Sequence, residues 1–288
     1  MITTCNKQLQ TFLHTLVSTA ERTGSGLRQS LMMNLFGTRD VAMFPANLRT
    51  RLNTLEMCGV QGVKKNGLAH KSDWRGNWSP EVARNLILRY SNEGDILLDP
   101  MIGGGTTAIE AKILNRNIIC SDVNDVALER TKESLKFEVE NKAWQKVAKR
   151  DARNLGKAEN ESIDFVLTHP PYADIIKYSE GEIDEDLSNI HGIDEFADEM
   201  EKVANELYRV LKPGKFCAIL IGDTRRQKMY QPLAYRVMDR FLNAGFDLKE
   251  DIIKRQFNCK ATGFWVEKSK QSNFLLIMHE HLFVFQKQ

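Results

Sequence analysis

Two acids bracket a run of three glycines. Asp99 precedes Pro100-Met101-Ile102-Gly103-Gly104-Gly105-Thr106-Thr107, and Asp122 closes the next apolar run. Glycines without a Cβ allow φ > 0 and let a ligand approach the backbone. A helix starting just beyond them adds unpaired N–H groups. The run lacks the lysine of GxxxxGK[ST] and the spacing of GxGxxG, which argues against nucleoside-triphosphate hydrolysis. A carboxylate ahead of the loop repels a pyrophosphate and attracts an ammonium or sulfonium. A second acid about 20 residues on suits a ribose diol. S-adenosylmethionine carries an amino acid, a sulfonium and a ribose but no phosphate, so it is the expected cofactor. The plainer alternative is a glycine turn with two solvated acids.

A second cluster ends another apolar run: Thr168-His169-Pro170-Pro171-Tyr172. The prolines fix φ and remove two N–H donors, leaving a stiff ledge of carbonyls. Tyr172 adds a flat face. A nucleobase swung out of a duplex needs both a stacking surface and acceptors for its amino group. A strand-ending turn with a packed tyrosine is the plain alternative for this cluster alone.

The elements that must position these residues alternate. Ser79-Pro80-Glu81 starts a helix running to about Tyr90. Residues 96–99 read as a strand, 106–115 as a helix, 117–122 as a strand and 125–139 as a helix. Residues 162–168 read as a strand and 194–211 as a long amphipathic helix. The segment "KFCAILIG" is a strand, 232–244 a helix, 247–257 a strand, and "NFLLIMHEHLFVF" a final β segment. The pattern predicts an α/β fold: a mostly parallel, doubly wound, Rossmann-like sheet with an antiparallel C-terminal edge strand. Residues 5–22 have helical spacing and 23–77 are glycine-punctuated. The expected division is an extension over 1–77, facing substrate, and a catalytic domain over 78–288.

"LLDPMIGGGTTAIEAKILNRNIICSDVN" together with "THPPY" resembles the amino-group DNA methyltransferases, which modify N4 of cytosine or N6 of adenine with S-adenosylmethionine on the class I methyltransferase fold. The resemblance spans roughly residues 70–288 and includes "GNWSPEVARNLILRYSNEGD", "NELYRVLKPGK" and "IGDTRR". It implies that Asp99, Gly103, Gly104, Gly105 and Thr106 bind the methionine end of the cofactor. Asp122 would hold the ribose and Asp151 the adenine amino group. His169, Pro170, Pro171 and Tyr172 would form the catalytic corner. The implied partner is double-stranded DNA with the target base flipped out. A cognate restriction endonuclease is compatible with the resemblance, as is either a monomer or a homodimer.

One departure stands out. The family usually has Ser, Asp or Asn where this chain has His169. A neutral imidazole can accept a hydrogen bond from the target amino group, and a protonated one cannot. His169 is neither of the adenine-type residues, so N4 of cytosine is favoured. A carbon-5 methylase would need an attacking cysteine after a proline, and no Pro-Cys occurs. Guanine-N2 methylation of RNA, or another amino methyl transfer, and a catalytically silent nucleic-acid-binding subunit are the rival readings.

Other features narrow the class. A net charge of +2 gives little whole-chain attraction for nucleic acid. The five cysteines form no CxxC pair, which points away from zinc ribbons and disulfides and toward a cytoplasmic setting. The best apolar run, Phe274 to Phe285, is broken by His279-Glu280-His281, so no membrane partner is expected. His279 and His281 share a strand face, but no third ligand is visible, so they read as structural or surface residues and no metal is expected. Trp74 and Trp78 read as packing, with stacking on a ligand as the alternative. Arg225, Arg226 and Lys228 are candidate phosphate contacts.

Overall fold

A computed structural model describes His70, Trp74 and residues 76–156, 158–256 and 262–288. All of them fall in one compact unit, 66–288. The expected N-terminal helix over 5–22 and nearly all of the irregular stretch over 23–77 lie outside the described residues.

The chain builds α1 (Pro80–Tyr90), β1 (Ile96–Asp99), α2 (Thr106–Ile113), β2 (Asn117–Asp122), α3 (Asp125–Ser134), β3 (Gln145–Lys149) and β4 (Ile163–Thr168). Two short 3₁₀ turns, Ala173–Ile175 and Leu187–Asn189, lead to α4 (Ile193–Val210). Then come β5 (Leu211–Ile221), β6 (Thr224–Arg226), β7 (Met229–Gln231), α5 (Leu233–Asn243), β8 (Asp247–Arg255), α6 (Thr262–Ser272) and β9 (His279–Gln286). Seven strands form one sheet in the order β3-β2-β1-β4-β5-β9-β8, and β6 pairs with β7 as a separate hairpin. Strands β1 to β5 pair in parallel, while β9 runs antiparallel to both β5 and β8. This is the expected α/β sheet. Its antiparallel C-terminal strand lies one place in from the edge, with β8 outermost.

The central strands are apolar because both faces are covered. All six residues of β4 are buried. α4 lays Phe196, Met200, Val203, Ala204 and Leu207 against the sheet, and α5 adds Val237 and Phe241. β3 was missed in the sequence. Its QKVAK alternation is half-exposed and offers no apolar run. The helix expected over 125–139 stops at Ser134, where Leu135 begins a turn.

α1 begins as its sequence predicts, with Ser79 as N-cap and proline in the first turn, although the Ser79 hydroxyl bonds Glu81 rather than the backbone. A buried ion pair locks α1 onto α2, with Arg84 Nε 2.7 Å from Glu110 Oε2 and Nη2 3.2 Å from Oε1. His70 Nε2 lies 2.8 Å from the same carboxylate. Removing one member of such a pair strands the other charge, whereas replacing both with apolar groups is close to neutral. Arg84→Met is therefore expected to lose about 3–5 kcal/mol in urea unfolding, and Arg84→Met/Glu110→Leu to recover most of it. Equal losses in both proteins would show that the charge pair is not what holds α1 in place.

Candidate active site

A cleft opens where β1, β2 and β4 end. Asp99 terminates β1 and is 2 % exposed. Thr168 Oγ1, at the end of β4, donates to Asp99 Oδ1 at 2.7 Å, and the Met101 N–H donates to the same oxygen at 3.2 Å. Burial nevertheless pushes the Asp99 carboxyl up to about 6, with the nearby Asp122 charge adding to the effect. No cationic side chain is hydrogen-bonded to Asp99 among the described residues.

The glycine loop is held from below. Gly103 donates its N–H to Asp122 Oδ2 at 3.0 Å, and Thr131 Oγ1 donates to the Gly103 carbonyl. Gly103 and Gly105 have φ of 50° and 87°, in the left-handed region where a side chain is strained. Gly105 is the N-cap of α2, with its Cβ position turned toward Thr131. Asp122 Oδ1 accepts from the Asn124 N–H at 3.0 Å. Burial raises the Asp122 carboxyl despite these two N–H donors. Asp151 is gripped by Arg153, whose Nη2 donates to Oδ2 at 2.8 Å and whose backbone N–H donates to Oδ1 at 2.9 Å.

The proline corner continues from Thr168. Tyr172 donates its hydroxyl proton to Glu280 Oε1 at 2.7 Å, and His169 Nε2 lies 2.7 Å from the same hydroxyl. Lys254 completes the row by pairing with Glu280. Burial works to raise the Glu280 carboxyl, but Lys254, the Tyr172 hydrogen bond and His169 together hold it low. Glu280 is thus an ionised acceptor for the Tyr172 hydroxyl proton, and the His169 ring is held between that hydroxyl and the Gly76 backbone. Burial draws the His169 imidazole down to about 4; Glu280 and the Gly76 backbone oppose this, and Lys254 adds to it. Trp78 stacks on the ring at 5.9 Å. Gly222 permits the arrangement, since a Cβ there would lie 2.7 Å from Tyr172 Cε2. Ala173, buried directly after the corner, has φ of 50°, a left-handed conformation that costs a non-glycine residue energy.

The cleft brings together Asp99, Gly103, Gly104, Thr106, Asp122, Asp151, His169 and Pro171. Gly105, Pro170 and Tyr172 adjoin these residues in sequence but are not among those lining the cleft. Trp74, Asn77, Trp78 and Tyr178 also line it. Trp74 and Tyr178 stack at 5.7 Å with planes 9° apart. Trp78 packs, as expected, but does so on His169. Asn77 was missed; its amide sits where a Cβ on Gly104 would fall, a proximity that sequence carries no sign of. Of the basic candidates, Arg226 pairs with Asp174, and Arg225 donates to the Lys228 and Leu275 carbonyls.

Among curated proteins, the chain is 28 % identical over 163 residues to the Type II methyltransferase M.MthZI of Methanothermobacter thermautotrophicus, covering 51 % of this chain and 46 % of that one. It is 39 % identical over 87 residues to the Type II methyltransferase M.HpaI of Haemophilus parainfluenzae, covering 30 % and 26 %. A tRNA (guanine(10)-N2)-dimethyltransferase of Methanocaldococcus jannaschii is 30 % identical over 145 residues, covering 48 % and 41 %. The chain thus spans about half or less of the length of these relatives. Among solved structures, TrmN from Thermus thermophilus superposes with a TM-score of 0.49 at 20 % identity, covering 74 % of this chain and 50 % of that one. The family model described as DNA methylase matches residues 59–133 and 163–288. Those two segments carry the glycine loop and the proline corner, the two walls of the cleft, and the chain belongs to the DNA methylase family.

Proposed function

We propose that the protein transfers a methyl group from S-adenosylmethionine to the exocyclic amino group of a base flipped out of double-stranded DNA, with N4 of cytosine favoured over N6 of adenine. The observation that carries this reading is one cleft lined by a buried carboxylate, Asp99, and by His169 and Pro171 of the proline corner. The donor set suits the cofactor. Asp99 is an anion with no cation hydrogen-bonded to it among the described residues, and the glycine loop carries no lysine for a phosphate. The family match and the Type II relatives support the same reading.

S-adenosylmethionine supplies an electrophilic methyl on a sulfonium. Asp99 would offset the positive charge of its methionine end, with Gly103, Gly104 and Thr106 bordering that end. Asp122 would accept from the ribose, and Asp151, already held by Arg153, would hold the adenine amino group. An exocyclic amino nitrogen is a poor nucleophile because its lone pair is delocalised into the ring. His169 and the Pro170 carbonyl accept hydrogen bonds from its N–H groups, draw the nitrogen toward tetrahedral geometry and localise the pair. The N–CH3 bond forms as the S–CH3 bond breaks, and one amino proton is lost to solvent. Orientation and preset electrostatics then supply the rate, without a covalent intermediate. Tyr172 and Glu280 act through His169 by holding its ring in place.

Labelled cofactor offered in parallel to DNA, RNA and protein is expected to mark DNA, and digestion to yield N4-methylcytosine. Label on guanine of RNA would instead favour the activity named for the dimethyltransferase relative. The pH dependence separates the two walls. Below about 6, Asp99 gains a proton and its charge is lost. Affinity for the cationic cofactor should therefore fall about tenfold per unit below that value, and Asp99→Asn should flatten the profile. His169 stays neutral through the same range, so single-turnover methyl transfer in the saturated complex should hold until about 4. A cofactor affinity indifferent to pH would remove the charge role of Asp99. Glu280→Gln should slow single-turnover transfer about 10²-fold while leaving cofactor affinity unchanged; an unaltered rate would detach Glu280 from the reaction.

A further inference from the structure

The sequence places His279 and His281 on one face of a strand and shows no third ligand. The fold supplies one. Asp223 follows β5, whose last residue Ile221 pairs with His281 across the antiparallel β5–β9 ladder. One ligand atom each from Asp223, His279 and His281 lie within 4.8 Å of one another. We propose that these three residues form a binding site for a zinc-class divalent ion.

The orientation of His281 is the second observation. Its side chain is 2 % exposed, and Nδ1 lies 3.0 Å from Asp251 Oδ1 on the neighbouring strand β8. That bond places the ring proton on Nδ1 and turns the Nε2 lone pair the other way. Nε2 is buried and has no hydrogen-bond partner among the described residues. What it faces is Asp223 Oδ2 at 3.6 Å, on a carboxylate whose side chain is 1 % exposed. Two electron pairs directed at each other in a buried place need a cation between them. A carboxylate behind an imidazole, with the far nitrogen toward an anionic ligand, is the arrangement by which proteins orient metal-binding histidines.

The donor chemistry narrows the ion. Two imidazoles and one carboxylate suit zinc and its neighbours rather than calcium or magnesium, which take oxygen. A divalent charge also neutralises Asp223 and Asp251 together. His279 is half-buried and closes the set from the outer side. Asp223 is steadied by the Ala234 N–H at 2.8 Å and by the Tyr230 hydroxyl. It lines a second cleft, bordered by Arg225, Trp265 and Phe274, which gives an entry path. Glu280 lies between the two histidines on the opposite face of β9 and holds Tyr172. An ion at this site braces the strand that supports the proline corner, while binding itself is independent of the reaction assigned to the cleft.

The test is equilibrium dialysis of the full chain, stripped with a chelator, against zinc in the presence of a competing chromophoric chelator. One ion per chain is expected. His279→Ala and Asp223→Asn should each weaken binding at least about tenfold, and Asp251→Asn about 10–100-fold, with circular dichroism unchanged. Cobalt in place of zinc should give d–d bands without a thiolate-to-metal charge-transfer band. The proposal is overturned by a chain that retains no zinc, which would mean that a proton fills the gap. It is equally overturned by variants that bind as the unaltered chain does, or by a thiolate band, which would place the ion on the cysteines.

Discussion

The 2.7 Å bond from Thr168 to Asp99 joins the two halves of the site. Asp99 ends β1 and Thr168 ends β4, and these strands are paired neighbours at the centre of the sheet. Each motif therefore finishes at the same height beside the other. The glycine loop leaves from one residue and the proline corner from the other, so a single buried bond sets the distance between them. Holding a carboxylate there is costly. Burial that moves its carboxyl from 3.8 to about 6 corresponds to about 3 kcal/mol against the charged form. A domain whose net stability is commonly about 5–15 kcal/mol gives up that much only at few places. The cost falls where a positively charged ligand would repay it.

Much of this frame was readable from residue types. β1, β2, β4, β5 and β9 announce themselves as apolar runs, and the helices between them as periodic patterns with caps. The acids at 99 and 122 could be placed at strand ends because Asp ends an apolar run in each case. β3 was not readable, since an edge strand with a lysine on each face has no apolar signature. The β6–β7 hairpin and α6 were missed for a related reason. Three-residue strands carry too few positions to show a period, and α6 buries no residue among those described.

The side-chain networks were the least legible part. Tyr172 looked like a stacking face, yet its hydroxyl links Glu280, 108 residues away in sequence, to His169. Residue type made His169 an open question about charge. Its surroundings answer it, because burial and Lys254 favour the neutral ring. The histidine pair on β9 is the opposite case. Spacing gave the shared face, but the carboxylate opposite arrives from a different strand end, and only pairing with β5 brings it near. Local pattern reports which way a side chain points, and pairing decides what it meets.

The place of β9 in the sheet also has a consequence in time. β8 is made before β9, yet it touches the sheet only through β9, which lies between it and β5. As the chain leaves the ribosome, residues 247–255 must wait for residues 279–286 to arrive before they have a strand to join. Glu280 travels with those late residues, so the Tyr172–His169 row cannot close on a nascent chain that lacks them. The parallel core can collapse early, but the acceptor side of the cleft is completed late, by a strand that is inserted rather than added. Non-local pairings of this kind are slow to form and leave an open edge at β5 in the meantime.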